Sequence, residues 1–287
     1  MIISCGNELE IVSVAKADRP MWIYSMALQS LITHFYSPEI TIVCPNNDVH
    51  LFRELRVIFP VRILSEDDYM PPFPLAELTR ILSNKPNRAG WYYQQFLKMH
   101  FCRHSKSSSY LIWDLDTVLL NPIPLPTPSG TFLFGSSREH HSAYFNTIDK
   151  LLGPGSFPAK SAICQYMYVD SAMMASLLDR IESNAGLDWR NAIAASLPQV
   201  NDSEFSEYET YATYVYRAFP ERCVFNPARL FRYGSELATS FDVALKHADA
   251  LSKSFDLLAF EQHAPSLRRK IFAHSLKYLS TLSLPVL

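Results

Sequence analysis

Residues 110–120 read Tyr-Leu-Ile-Trp-Asp-Leu-Asp-Thr-Val-Leu-Leu. Four bulky apolar residues in a row suit a strand covered on both faces, as in the parallel sheet of an α/β protein. Such a strand carries the residues after it to the carboxyl edge of the sheet, where ligands bind in open α/β folds. Here those residues include two carboxylates, one residue apart. Side chains alternate along a strand, so Asp114 and Asp116 are expected on one face, where they can address one divalent cation together. A hard cation such as Mg²⁺ or Mn²⁺ takes one or two carboxylates and completes its shell with phosphate oxygens and water. An isolated Asp-x-Asp most often caps a loop or faces solvent. Two acids inside an otherwise apolar run are costly unless paired or metal-bound, and this points to a metal or diphosphate role.

The 287 residues suit one large α/β domain or two closely packed halves, and 48% hydrophobic against 19% charged residues allows a sizeable core. A net charge of −2 offers no basic surplus for nucleic acid. Five scattered cysteines (Cys5, Cys44, Cys102, Cys164, Cys223) form no Cys-x-x-Cys pair. They read as reduced, mostly buried thiols of a cytoplasmic protein, without a zinc site. Glu8 and Glu10 interrupt any amino-terminal apolar region, so no signal segment is expected. No apolar run is long enough to span a bilayer.

Strands are expected at residues 10–15, 39–44 and 61–64, with helices at 20–33 and 48–57 between them. This alternation argues for a Rossmann-like parallel sheet. Neither a dinucleotide fingerprint nor a Walker loop follows the first strand, and the chain has only 8 glycines. Further on we expect helices at 75–82 and 91–103, the strand at 110–113, and a proline-rich turn holding Pro122, Pro124, Pro126 and Pro128. Beyond it come strands at 131–134, 164–169, 226–232 and 255–260. Helices are expected at 141–152, 171–181, 188–197 and 207–219, and a helical tail from 266 to about 282. The organisation expected is a single domain, with a nucleotide half (1–121), an acceptor half (122–265) and the tail (266–287).

On the helix that feeds the Asp-x-Asp strand, Gln94 and Lys98 are four apart and share a face, and Trp91 and Gln95 form the next one. Lys98 can meet a diphosphate as a point charge, and Gln94 and Gln95 can bond sugar hydroxyls. The plainer alternative is a surface helix with Gln and Lys in water and Trp91 in the core. In the second acidic cluster, Ser206 and Glu209 fit a capping box. That leaves Glu207 at the first helical position, where it can take a proton from a hydroxyl if it faces a cleft; alternatively it complements the helix dipole. Asp18, after the first strand, can hold a nucleobase or ribose or simply open a helix. His263, after the last strand, can complete a metal site or be structural.

These motifs occur in a recognisable order: a strand ending in Asp18, then Trp91-x-x-Gln94-Gln95-x-x-Lys98, Asp114-x-Asp116-Thr117, Ser206-Glu207-Tyr208-x-x-Tyr211, and Gln262-His263. Together they resemble an uncharacterised bacterial family of GT-A-type glycosyltransferases over nearly the whole chain. The resemblance implies a GT-A-like α/β fold with a Rossmann-like, mostly parallel central sheet flanked by helices. It also implies a nucleotide-sugar donor (a UDP- or GDP-sugar), a Mn²⁺ or Mg²⁺ ion on Asp114 and Asp116 joined by His263, and Glu207 as the base of an inverting reaction. The residues Ala15-Lys16-Ala17 lack the aromatic or serine often seen before the base-binding acid. The acceptor implied is a glycan or lipid-linked glycan of polysaccharide biosynthesis.

Two other functions compete. A sugar nucleotidyltransferase shares the metal acids but needs a glycine-rich basic loop that this chain lacks. A non-enzymatic glycan-binding protein would leave the acids in the apolar run unexplained. In the tail, Leu267, Ile271, Tyr278 and Leu282 recur at helical spacing among Arg268, Arg269, Lys270 and Lys277. This pattern suits peripheral contact with an anionic membrane surface, or packing against the protein itself.

Overall fold

The computed structural model describes residues 9–70, 73–84, 86–126, 130–197 and 203–261. His263 and the tail from 266 onward, where a metal ligand and a membrane contact are expected, lie outside the described residues.

The first half alternates as expected: β1 (Glu10–Val14), α1 (Met21–His34), β2 (Glu39–Cys44), α2 (Val49–Leu55), β3 (Val61–Ser65), α3 (Glu66–Tyr69), α4 (Leu75–Ile81), α5 (Ala89–His100) and β4 (Ser109–Trp113). Then follow β5 (Thr117–Leu119), β6 (Phe132–Ser136), α6 (Ser142–Leu152), β7 (Tyr166–Asp170), α7 (Ser171–Ala185), α8 (Trp189–Ser196) and α9 (Glu207–Ala218). The remainder is β8 (Cys223–Pro227), β9 (Leu230–Phe231), α10 (Gly234–Leu237), α11 (Phe241–Ser252) and β10 (Leu257–Ala259).

The central sheet has the order β3-β2-β1-β4-β7. Its first four strands are parallel, and β7 alone runs antiparallel to β4. This is the mostly parallel, helix-flanked α/β sheet expected from the sequence. The order reverses direction between β1 and β4, with Val12 opposite Ile112. Crossovers from β1 lead one way to β2 and β3, while β4 lies on the other side. The switch point lies between β1 and β4, and at the carboxyl ends of such strands doubly wound sheets have the crevice that binds ligands.

Residues 110–113 are fully buried. Tyr110 and Ile112 face one core with Tyr92, Phe96 and Tyr211, while Leu111 and Trp113 face another with Tyr24, Leu28 and Phe52. Burial on both faces explains why this strand shows no polar alternation. A third core packs α1 residues Ile23, Met26 and Ala27 against Leu237, Ala244, Leu251 and Phe260. Four helix starts are fixed by side-chain caps: Ser65, Asp170, Asp188 and Ser206 each accept a hydrogen bond from a first-turn N–H. Gly186 closes α7 in the left-handed region (φ 65°), a conformation cheap only for glycine.

Two expectations need correction. The single strand at residues 226–232 is two strands in different sheets, β8 beside β6 and β9 beside β10. Pro227 has no N–H to extend a ladder and stands at the break. Residues 233–254, without an expected element, hold α10 and α11. The buried face of α11 is only Ala244, His247 and Leu251, too sparse a stripe to stand out in the sequence. At Gly234 a Cβ would lie 2.8 Å from the Ala259 carbonyl oxygen, so α10 approaches β10 closely there.

Candidate active site

The site is built where four segments meet: the loop of residues 15–20 after β1, the turn of residues 114–117 after β4, the face of α5 below them, and the start of α9. Contrary to the pleated-strand expectation, the strand stops at Trp113. The Thr117 N–H bonds the Asp114 carbonyl at 2.9 Å, closing a tight turn. The turn is held from outside as well. The Asp114 N–H donates to the Gln165 carbonyl at 2.9 Å. The Trp113 indole donates to the Thr117 carbonyl at 2.9 Å, and the Thr117 hydroxyl to Gln165 Oε1 at 3.1 Å. Asp114 and Asp116 are thus presented by a rigid turn and not by strand alternation.

The two acids have different surroundings. Asp114 Oδ1 accepts a hydrogen bond from Lys98 Nζ at 2.6 Å and from the Tyr208 hydroxyl at 3.4 Å. Among the described residues, the ion-pair partner of the Asp116 carboxylate is Arg19, whose Nη2 lies 3.7 Å away, beyond hydrogen-bond reach. Burial, with the Asp114 charge next to it, pushes the Asp116 carboxyl up to about 7 against the pull of Arg19. The Asp114 charge thus reaches Asp116.

The helix α5 does not present a wet polar face. Lys98 is only 4% exposed, and its ammonium also donates to Glu207 Oε1 at 3.0 Å. Burial alone would lower it, but Asp114 and Glu207 outweigh that cost and hold it well above its ordinary value. Lys98 is therefore a charged bridge between the β4 turn and the start of α9, and its ammonium also sits 5.0 Å from the centre of the Tyr208 ring. Gln95 is buried too; its Oε1 accepts the Glu207 N–H at 3.0 Å and so satisfies a free donor at the start of α9. Gln94 donates to the Val14 carbonyl at 2.9 Å, tying α5 to the end of β1. Trp91 is half-buried, with the Arg88 guanidinium 4.2 Å over its ring. Asp18 is half exposed on the β1 loop, 3.6 Å from Arg19 Nη1.

Ser206 caps α9 as the sequence indicates, accepting the Glu209 N–H at 3.3 Å. The other half of the capping box is not made. The Glu209 carboxylate turns to the Ser161 hydroxyl and the Ala162 N–H instead. Burial pushes the Glu207 carboxyl above its ordinary range, with Lys98 acting in the opposite sense.

Three contributors carry no motif that marks them in the sequence. Gln165 braces the turn and passes a hydrogen bond of 2.8 Å to Glu261. Arg232 binds the same Glu261 oxygen at 2.7 Å and pairs with Glu139. Arg19 stands out only as the neighbour of Asp18. The Phe260 N–H bonds the Asp116 carbonyl at 2.8 Å, so the end of β10 lies against the turn.

The oxygen chemistry of Asp114 and Asp116 fits a hard divalent cation. Among the described residues no group of three His, Cys, Asp or Glu side chains is gathered for a metal. A cation here would take further ligands from a bound phosphate, water or residues outside the described set.

A protein-family model described as a family of unknown function, DUF6492, matches residues 22–224. No curated protein matches the chain. Among solved structures, the apo glycosyltransferase GlyE of Streptococcus pneumoniae TIGR4 is 10% identical with a TM-score of 0.44, over 94% of this chain and 60% of that one. Mouse xyloside xylosyltransferase 1 is 13% identical with a TM-score of 0.42, over 91% of this chain and 100% of that one. The bifunctional glycosyltransferase WbbM is 13% identical with a TM-score of 0.47, over 99% of this chain and 51% of that one. The chain thus spans less than two thirds of the GlyE and WbbM structures, and likeness at this level assigns no residue a role.

Proposed function

Taking as premise that the chain belongs to the DUF6492 family, we propose that it is a metal-dependent glycosyltransferase that moves a sugar from a nucleotide-sugar donor to a glycan or lipid-linked acceptor. One observation carries this reading: two carboxylates sit on a braced turn at the switch point between β1 and β4. A nucleoside diphosphate leaving group gains negative charge as the sugar departs. Asp114 and Asp116 would hold the Mn²⁺ or Mg²⁺ ion, with His263 as a further ligand. When bound, the ion supplies Lewis-acid stabilisation of that charge. Lys98 fixes Asp114 in place and adds positive charge behind it, and Asp18 and Trp91 would contact the donor.

Glu207 is the base assigned to the acceptor hydroxyl in an inverting transfer. Burial raises its pKa and so makes the carboxylate a stronger base, while Lys98 favours the charged form that can take the proton. Lys98 remains paired with Asp114 while Glu207 is protonated. Glu207→Gln is expected to lower turnover by about 10²- to 10⁴-fold, the usual contribution of a general base, with donor affinity nearly unchanged. Turnover measured at saturating donor, beside calorimetric donor titration, checks this. A loss confined to donor affinity would place Glu207 in the donor pocket.

The reading as a whole is tested by thermal shift with UDP, GDP, CDP and CMP, each with and without Mn²⁺. Metal-dependent stabilisation by one nucleoside diphosphate is the expected result. No response to any nucleotide would favour a glycan-binding protein.

A further inference from the structure

Arg19 is the least satisfied charge in the described part of the crevice. Its side chain is 14% exposed. Its Nε and Nη1 atoms are closed off from solvent and make no hydrogen bond among the described residues. The nearest anions, Asp18 at 3.6 Å and Asp116 at 3.7 Å, attract it without bonding it. A guanidinium cannot shed its charge, and buried N–H groups without acceptors are destabilising. Such a group in a native fold calls for an explanation, and a binding role is one.

The backbone around Arg19 is firmly held. The Ala17 N–H donates to Asp48 Oδ2 at 2.8 Å, and the Tyr24 hydroxyl donates to the Lys16 carbonyl. The loop thus fixes where the side chain starts and leaves its far end loosely placed between two carboxylates. Arg19 also stands two residues before α1, a helix with no acidic residue in its first turn and no side-chain cap. The positive end of that helix dipole is uncompensated on the same side of the crevice. Arg19 is the cation that adjoins Asp116, at 3.7 Å.

Resting on the transferase reading above, we propose that Arg19 is a donor-binding residue that takes the phosphate charge of the nucleoside diphosphate. On binding, the guanidinium leaves its loose position beside Asp116 and donates to phosphate oxygens. This gives its unpaired N–H groups acceptors and frees the Asp116 carboxylate of a competing cation. Asp18, half exposed one residue earlier, is left to meet the nucleoside side of the donor.

Calorimetric titration with UDP and GDP at saturating Mn²⁺ tests this on the native chain, Arg19→Gln and Arg19→Lys, with melting temperatures recorded in parallel. Native binding of at least one diphosphate is expected. Arg19→Gln should weaken it about 10- to 100-fold, the contribution of one or two charge-assisted hydrogen bonds. Arg19→Lys, which keeps the charge and loses the planar fork, should fall between the two. Mn²⁺ alone should bind Arg19→Gln at least as tightly as the native chain, since a cation beside Asp116 has gone. Unchanged diphosphate affinity in a folded Arg19→Gln protein overturns the assignment and leaves the transferase reading standing. Weaker Mn²⁺ binding that accounts for the whole diphosphate loss also overturns it, because Arg19 would then act only by shaping Asp116. Failure of the native chain to bind either diphosphate removes the transferase reading and the role of Arg19 with it.

Discussion

An Asp116→Asn protein is expected to lose sugar transfer while becoming more stable than the native chain at pH 8. The loss of activity should be at least about 10²-fold, the scale on which a charged group at a reacting centre acts. The gain in stability comes from the proton balance. In the folded chain burial and Asp114 raise the Asp116 carboxyl from its ordinary 3.8 to about 7. A carboxyl raised on folding binds its proton more tightly in the folded state. Its stabilising contribution is complete below about pH 4 and is lost as the pH rises through about 7. Asparagine never acquires the charge, so it escapes that loss. Urea unfolding with metal chelated should give nearly equal stabilities at pH 4 and a gap favouring Asp116→Asn that widens towards pH 8. Parallel stability curves across this range would mean that solvent screens Asp116 and that the turn holds no uncompensated charge. The combination, stability gained where activity is lost, is what distinguishes a functional acid from a structural one.

The parts of this site legible in the sequence are those governed by local rules. The apolar run before Asp114 marks β4 because both faces of that strand are buried, and Ser206 marks the start of α9 because a cap acts over three residues. The strand–helix alternation from β1 to β3 specifies the sheet and, with it, the edge on which ligands bind. The rest depends on contacts between distant segments. Gln95 and Lys98 look like a polar helix face; only the placement of α9 against α5, more than 100 residues later, buries them against Glu207. Glu209 has the spacing of a capping partner, but Ser161, which donates to its carboxylate, lies on another segment. Gln165 and Arg232 brace the Asp-x-Asp turn through Thr117 and Glu261, and neither sits in a local pattern that marks it. Arg19 is visible beside Asp18, but its lack of hydrogen bonds can be recognised only once the fold sets Asp116 opposite it.

Lys98 carries the second large effect. Its ammonium is enclosed with Asp114 and Glu207 at 2.6 Å and 3.0 Å. Lys98→Met retains most of the side-chain volume and removes the positive charge that stands between the two acids. Deleting one member of a buried ion pair typically destabilises a protein by about 3–5 kcal/mol, because a buried charge is left without compensation. Lys98→Met should therefore unfold at markedly lower urea than the native chain at pH 7. Acid should relieve part of the loss. The Glu207 carboxyl is already raised by burial, and removal of Lys98 takes away the principal group holding it down. Folding then favours proton uptake, so the stability of the variant should increase as the pH is lowered from 7 towards 5. The triple variant Lys98→Met, Asp114→Asn, Glu207→Gln removes all three charges together and should recover most of the stability, since neutral replacements of buried ionic clusters are often close to isoenergetic. On the proposed reading it should remain inactive, since Asp114 would hold the metal and Glu207 would take the acceptor proton. A Lys98→Met protein within about 1 kcal/mol of native at pH 7, the range of exposed ion pairs, would show that water reaches the cluster and that Lys98 does not bridge β4 to α9.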